Sequence, residues 1–172
     1  MLVPFESLPD NARIWIYQSP RALTPAEYGI VQTYLTGVTE AWAAHGQALK
    51  SSFVIRFNQF IIIGVDEDYN AASGCSVDSF VNAMHALGSK LSLDFFDRQQ
   101  VAFQIDGITI ISLGELKEKH ANGIWSAGTP TFNNVVQAKA DLNTKWIVPA
   151  GETWLKRYIP RERTVQGAEN IL

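Results

Sequence analysis

The chain has 172 residues and only one cysteine, Cys75, which excludes an internal disulfide bond. A single free cysteine is typical of a protein that folds in a reducing compartment. The opening residues, MLVPFESLPDNAR, also lack the basic start and the apolar core of a signal peptide. These two absences predict a cytoplasmic protein.

Long apolar runs and an excess of positive charge are absent as well. No run approaches the roughly 20 residues that a membrane-spanning helix needs. Lysine and arginine number 14 against 17 aspartates and glutamates, which gives a formal net charge of −3. This balance argues against a strong affinity for nucleic acid or acidic membranes. The histidines and the cysteine show no metal-ligand spacing, so we expect no metal and no cofactor.

The stretch 60–91 is the most informative part of the sequence. Residues 60–65, FIIIGV, form a continuous apolar run that predicts a strand covered on both faces. In residues 76–91 the apolar side chains recur three and four positions apart, which predicts a helix. Ser73 or Ser76 could cap the start of this helix by accepting a backbone hydrogen bond.

Other segments carry equally local signals. Residues 13–18, RIWIYQ, alternate in a way that predicts a strand with two apolar faces. Thr24, Pro25 and Glu27 match a helix N-cap, a first-position proline and a capping-box glutamate, so a helix is predicted over 24–45. Further predicted elements are strands at 53–57, 101–105 and 108–112, a turn at Asp106-Gly107, and helices at 113–120 and 133–146.

The predicted elements follow the order β-α-β-β-α-β-β, and the first six match the ferredoxin-like βαββαβ pattern. The predicted fold class is therefore α+β: a mixed, mainly antiparallel sheet of about five strands, helices on one face and a C-terminal extension. Strands 13–18 and 60–65 would lie side by side in the middle of the sheet. We expect one domain over 1–160, with 113–160 or a second subunit covering the open face, and a mobile tail at 161–172.

The position of Cys75, where the second helix starts, indicates a candidate site. Backbone N–H groups are free at a helix start, and the helix dipole favours anions there. The candidate ligand-binding residues of this loop, 73–78, are Ser73, Gly74, Cys75 and Ser76. The thiol could also act as a nucleophile, with His45 at the end of the first helix as the available base. The alternative is a small buried cysteine that only packs between helix and strand.

Several short segments carry a resemblance to a known family. They are Leu8-Pro9, RIWIYQ at 13–18, Trp42 with His45-Gly46, SGCSVD at 73–78, FDR at 96–98 and WLKRY at 154–158. In these segments the chain resembles a family of small uncharacterised proteins from Bacteroidetes-type bacteria, and the resemblance covers roughly residues 1–160. Members of that family are often labelled ABC transporter ATPases. A phosphate-binding loop of the form G-x-x-x-x-G-K-[ST] is absent, so the residues themselves predict no ATPase.

Two functions remain open at this point. One is a ligand-binding or interaction domain that is not an enzyme, with an anion site at 73–78 and a small anionic ligand or a second copy of the chain as partner. The other is a thiol-dependent enzyme of unknown reaction, with Cys75 and His45 as candidate catalytic residues. The first is favoured, because the sequence shows no complete catalytic constellation.

Overall fold

The computed structural model describes residues 1–160, which fold into strands, α-helices and short 3₁₀ turns. The helices are α1 (Pro25–Ala41), α2 (Gly74–Leu91) and α3 (Leu116–Ala121). The strands are β1 (Arg13–Gln18), β2 (Ala43–Ala44), β3 (Gln47–Ala48), β4 (Ser51–Arg56), β5 (Phe60–Val65), β6 (Gln100–Gln104), β7 (Ile108–Ser112), β8 (Pro130–Phe132) and β9 (Ile147–Pro149). The predicted tail at 161–172 lies outside the described residues.

A first sheet contains three antiparallel strands in the order β1-β5-β4. Strand β5 is central and buried along its whole length, as its continuous apolar run predicts. Its register with β1 pairs Arg13 with Val65 and Gln18 with Phe60. The predicted adjacency of 13–18 and 60–65 is therefore confirmed.

A second sheet contains four antiparallel strands in the order β7-β6-β8-β9, and β2 and β3 form a separate small hairpin. The α+β class is confirmed, but the single sheet of about five strands and its ferredoxin-like order are wrong. The ferredoxin-like order requires β6 beside β1. Instead β6 lies in the second sheet, because Ala102 and Phe103 bury opposite faces of the strand in two different cores.

Three apolar cores separate four layers of structure. The first core holds α1 and α2 against one face of the first sheet, with Leu35 and Met84 fully buried in it. The second core lies between the two sheets, where Phe60 and Ile62 of β5 meet Phe132 of β8. The third core holds α3 and the Trp154–Tyr158 turn against the outer face of the second sheet. The first sheet is thus covered on both faces, and the second cover comes from residues from 100 onward together with the N-terminal Phe5 and Leu8.

The edges of the two sheets are treated differently. The chain near Gln137 hydrogen-bonds along β1, from Ile14 N–H to the Gln137 carbonyl at 2.9 Å. The N-terminal residues hydrogen-bond along β4, from Val3 N–H to the Ser51 carbonyl at 3.0 Å. Strand β9 is three residues long and ends in a proline, a common way to block an edge. Strand β7 has no backbone neighbour on its outer side among residues 1–160.

Two predicted helix boundaries change, and one predicted helix is absent. Helix α1 ends at Ala41 rather than 45, because the chain turns at Trp42 into the β2–β3 hairpin. His45 and Gly46 form the tip of that hairpin with φ angles of 52° and 77°. Helix α2 begins at Gly74, two residues before the predicted start. The predicted helix at 133–146 is wrong: the segment is irregular, with one 3₁₀ turn at Lys139–Asn143.

Candidate functional site

The predicted loop at 73–78 is the first turn of α2 rather than a loop. Ser73 is the N-cap, and its hydroxyl accepts a hydrogen bond from the Ser76 N–H at 3.2 Å. The Ser76 hydroxyl donates to the Ser73 carbonyl at 2.8 Å, and the Trp42 indole N–H donates to the Ser76 carbonyl at 2.8 Å. These bonds occupy both serine hydroxyls and fix the turn against the end of α1.

Two of the predicted anion donors remain available in this turn. The backbone N–H groups of Gly74 and Cys75 have no hydrogen-bond partner among residues 1–160, as is usual for the first positions of a helix. Cys75 is exposed, so the interpretation as a buried packing residue is wrong. His45, on the neighbouring hairpin, is exposed too, and no hydrogen bond joins it to Cys75 within the described chain.

A larger concave feature lies at one end of the space between the two sheets. It is an open groove of about 580 Å³, which we call the inter-sheet groove. It is lined by Pro20, Arg21 and Ala22 after β1, Phe57, Asn58 and Gln59 in the β4–β5 turn, and Gln104, Gly107, Ile108 and Ile110 of the β6–β7 hairpin. Ile108 and Ile110 also contact the core between the sheets, so the groove exposes the margin of that core to solvent.

Phe57 occupies an unusual position on the wall of this groove. Its backbone has φ of 53°, in the left-handed region that bulky residues rarely adopt. The residue is 49% exposed, yet its ring lies edge-on to Phe132 at 5.5 Å and tilted to Trp146 at 5.8 Å between ring centroids. Sequence analysis missed Phe57, although an aromatic residue directly before the predicted hairpin turn was the available signal.

Arg21 supplies the charged side chain of the groove. Its Nη1 and Nη2 donate to the two carboxylate oxygens of Glu27, each at 2.8 Å, and Nη1 also donates to the Ala22 carbonyl. Glu27 accepts a further bond from the Thr24 N–H, which completes the predicted capping box of α1. The hydrogen bond from Arg21 is the main reason why the pKa of Glu27 falls from 4.5 to about 2.

This pair predicts a pH dependence. We expect the Glu27 carboxyl to titrate near pH 2, which ¹³C NMR of its side chain would measure. Because the folded-state pKa lies below the unfolded one, the pair contributes stability that is complete above about pH 4.5 and is lost as the pH falls toward 2. Glu27→Gln should remove this dependence, whereas the exposed Glu40→Gln should not. Titration of Glu27 near its usual value of 4.5 would contradict the pairing.

The described chain has neither a metal-binding cluster nor a membrane-spanning helix. Within residues 1–160, no group of three or more histidine, cysteine, aspartate or glutamate side chains is arranged to hold a metal ion. None of the described helices is both long and apolar enough to cross a membrane.

The chain was also compared with known proteins. No family model, curated protein or solved structure matches it. Function must therefore be inferred from the geometry of the site.

Proposed function

We propose that the protein is a binding domain rather than an enzyme, and that the inter-sheet groove is its ligand site. One observation carries this proposal: the groove places the exposed Phe57 and the half-buried Ile108 and Ile110 beside a guanidinium that Glu27 positions. Ligand sites combine a mostly apolar concave surface with a few polar groups that set orientation. The volume of 580 Å³ lies inside the range of about 300–1,000 Å³ that is typical of such sites.

The lining defines the chemistry of the ligand. Phe57, Ile108 and Ile110 provide apolar contact area, so the ligand has an apolar body. Glu27 holds only one edge of the Arg21 guanidinium, and the Nε–H and one Nη2–H have no partner among residues 1–160. The Nε–H and Nη2–H groups form a second edge of the guanidinium, which can donate two parallel hydrogen bonds to the oxygens of a carboxylate. The groove therefore suits an apolar molecule or segment that carries one acidic group.

The strain at Phe57 supports a functional role for the groove. A left-handed backbone costs a non-glycine residue about 1–2 kcal/mol. Asparagine tolerates this conformation better than phenylalanine does, and hairpin turns prefer it. Retention of a half-exposed aromatic ring at a strained position is typical of binding sites, where contact with a ligand compensates for the strain.

Phe57→Asn tests this role. We expect the free energy of unfolding to change by less than about 1 kcal/mol, because relief of strain offsets the lost aromatic contacts. We expect the affinity for anilinonaphthalene sulfonate, an aromatic anion, to fall about tenfold in a fluorescence titration. The control is His45→Asn, which replaces the exposed left-handed residue of the β2–β3 hairpin turn and should leave probe binding unchanged. Probe fluorescence that rises without reaching saturation in the titration of the wild-type protein would contradict the proposal.

The exposed thiol favours a second candidate function, a thiol-dependent enzyme centred on Cys75. Both functions predict that iodoacetamide alkylates the native protein and that Cys75→Ser abolishes the labelling, because the thiol is accessible. The rate separates the two, since an activated nucleophile should react at least about tenfold faster than cysteine in a short peptide. We expect a rate close to that of the peptide. Mass spectrometry of timed samples would measure it, and a much faster rate would support the enzyme.

A further inference from the structure

Strand β7 is the sheet edge that the described chain leaves unprotected. The edges of β1 and β4 are hydrogen-bonded by other segments, and β9 is short and ends in a proline. Strand β7, with the sequence ITIIS, contains no charge, no proline and no bulge against β6. Native proteins usually block such edges, because a free edge can pair with another strand. An open edge among blocked ones therefore indicates a place where a strand is added.

The free edge and the inter-sheet groove are parts of one surface. Ile108 and Ile110 of β7 point inward and line the groove, opposite Phe57. A strand added beside β7 would extend the second sheet across the groove. Side chains alternate along a strand, so every second residue of the added strand would enter the apolar space below. The edge would supply backbone hydrogen bonds that a small ligand cannot use.

The guanidinium edge of Arg21 that Glu27 does not bind indicates which chemical group lies at the end of the added strand. Arg21 lines the same groove, and its side chain is 52% exposed. A guanidinium edge with two parallel N–H groups is complementary in charge and shape to a carboxylate. A chain terminus places a carboxylate on the backbone itself, in line with the added strand.

We propose that the occupant of the groove is an extended peptide, which adds to β7 as a further strand and places its C-terminal carboxylate on Arg21. This inference rests on the proposed function, because it names the ligand of the same groove. It assigns three roles: β7 binds the backbone, Phe57 and the two isoleucines contact alternate side chains, and Arg21 recognises the terminus.

A second copy of the chain fits the same edge less well. Antiparallel pairing of two β7 strands about Ile110 would bring the Asp106 turn of one copy beside Glu115 of the other. Two acidic side chains placed side by side across a strand pair disfavour this pairing.

The experiment is a selection from a library of short random peptides with free C-termini, followed by binding measurements on the enriched sequences. We expect enriched peptides to share apolar residues at alternate positions. Amidation of the terminus should weaken binding about tenfold or more, since it removes hydrogen bonds between two charged groups. Arg21→Gln should weaken binding of the free acid equally and leave binding of the amide unchanged. Arg98→Gln, an exposed arginine outside the groove, is the matched control.

Amide hydrogen exchange tests strand addition directly. Saturation with a selected peptide should protect amides at alternate positions of β7, and a peptide that binds without protecting them would overturn the inference. If anilinonaphthalene sulfonate binds in a Phe57-dependent way but no peptide is enriched, the peptide inference fails and the proposed function stands. If neither binds, both fail. Protection of β7 that appears without peptide, with concentration-dependent dimerisation, would identify a second copy as the occupant and overturn the inference.

Discussion

Replacement of Gly88 by alanine is expected to lower the free energy of unfolding by about 1–3 kcal/mol, the usual cost of forcing an extra group into a packed site. Helix α2 ends in a left-handed residue, Ser92, with φ of 54°. This turn brings Leu93 back over the helix, and the Leu93 N–H donates to the Gly88 carbonyl at 2.9 Å. A Cβ atom on Gly88 would lie 2.6 Å from the Leu93 carbonyl oxygen. Backbone cannot move as easily as a side chain, so the connection between α2 and β6 must shift.

The same substitution in α1 provides the control. A Cβ atom on Gly37 would meet nothing within 4 Å, so Gly37→Ala should raise the free energy of unfolding by about 0.5–1 kcal/mol through helix propensity alone. Urea denaturation followed by circular dichroism would measure both variants. Stabilisation of the protein by both substitutions would show that the close approach of Leu93 to α2 is absent.

The largest loss of stability is expected for Phe60→Ala, at about 3–5 kcal/mol. Phe60 is fully buried at the start of β5, the middle strand of the first sheet. Its ring stacks on Phe132 of the second sheet at 4.5 Å between centroids and lies edge-on to Trp146 at 5.4 Å. Loss of the ring leaves a cavity at the contact between the two sheets, and urea denaturation monitored by tryptophan fluorescence would measure the cost.

Two further variants keep this prediction testable. Phe60→Leu retains part of the side-chain volume and should lose markedly less stability, so it can be measured even where the alanine variant does not fold. Phe53→Ala removes a half-buried ring from the edge strand β4 and should also cost less than Phe60→Ala. Equal losses for Phe53→Ala and Phe60→Ala would contradict the role of Phe60 in the contact between the two sheets.

Elements with a local signal could be predicted from the sequence. The capping box at Thr24 and Glu27 fixes the start of α1, and the structure contains both of its hydrogen bonds. The run at 60–65 is apolar because β5 contacts a different core on each face. The adjacency of β1 and β5 followed from the same reasoning. In each case the residues that determine the structure are close together in the chain.

The second sheet could not be predicted, because its determinants are far apart in the sequence. The local apolar pattern of β6 would be the same if the strand lay beside β1 in the first sheet or in a separate sheet. The difference arises from Phe132 and Trp146, which bury the face of the first sheet that residues 113–160 or a second subunit were expected to cover. The segment 133–146 was misread as a helix because weak apolar periodicity also occurs in irregular segments that pack on a core.

The candidate site was predicted only in part. Cys75 was placed correctly at the start of a helix, but its exposure depends on how α2 sits against the β2–β3 hairpin. The inter-sheet groove was missed altogether. It combines Arg21, Phe57 and Ile110 from three separate segments, and none of these residues belongs to a recognisable motif. Strain at Phe57 is likewise a property of backbone angles and is not visible in composition.

The burial of the first sheet between two layers has a consequence for synthesis on the ribosome. In the chain, helix α1 follows β1 and helix α2 follows β5. One face of the first sheet can therefore be covered as soon as α2 emerges. The N-terminal Phe5 and Leu8 contact the other face, which carries Ile62, but its cover is complete only when Trp146 is added, roughly 80 residues later. At about 5–20 residues per second, the nascent chain would expose an apolar sheet face for roughly 4–16 s. During that interval the emerging protein is a substrate for chaperones that bind apolar surface.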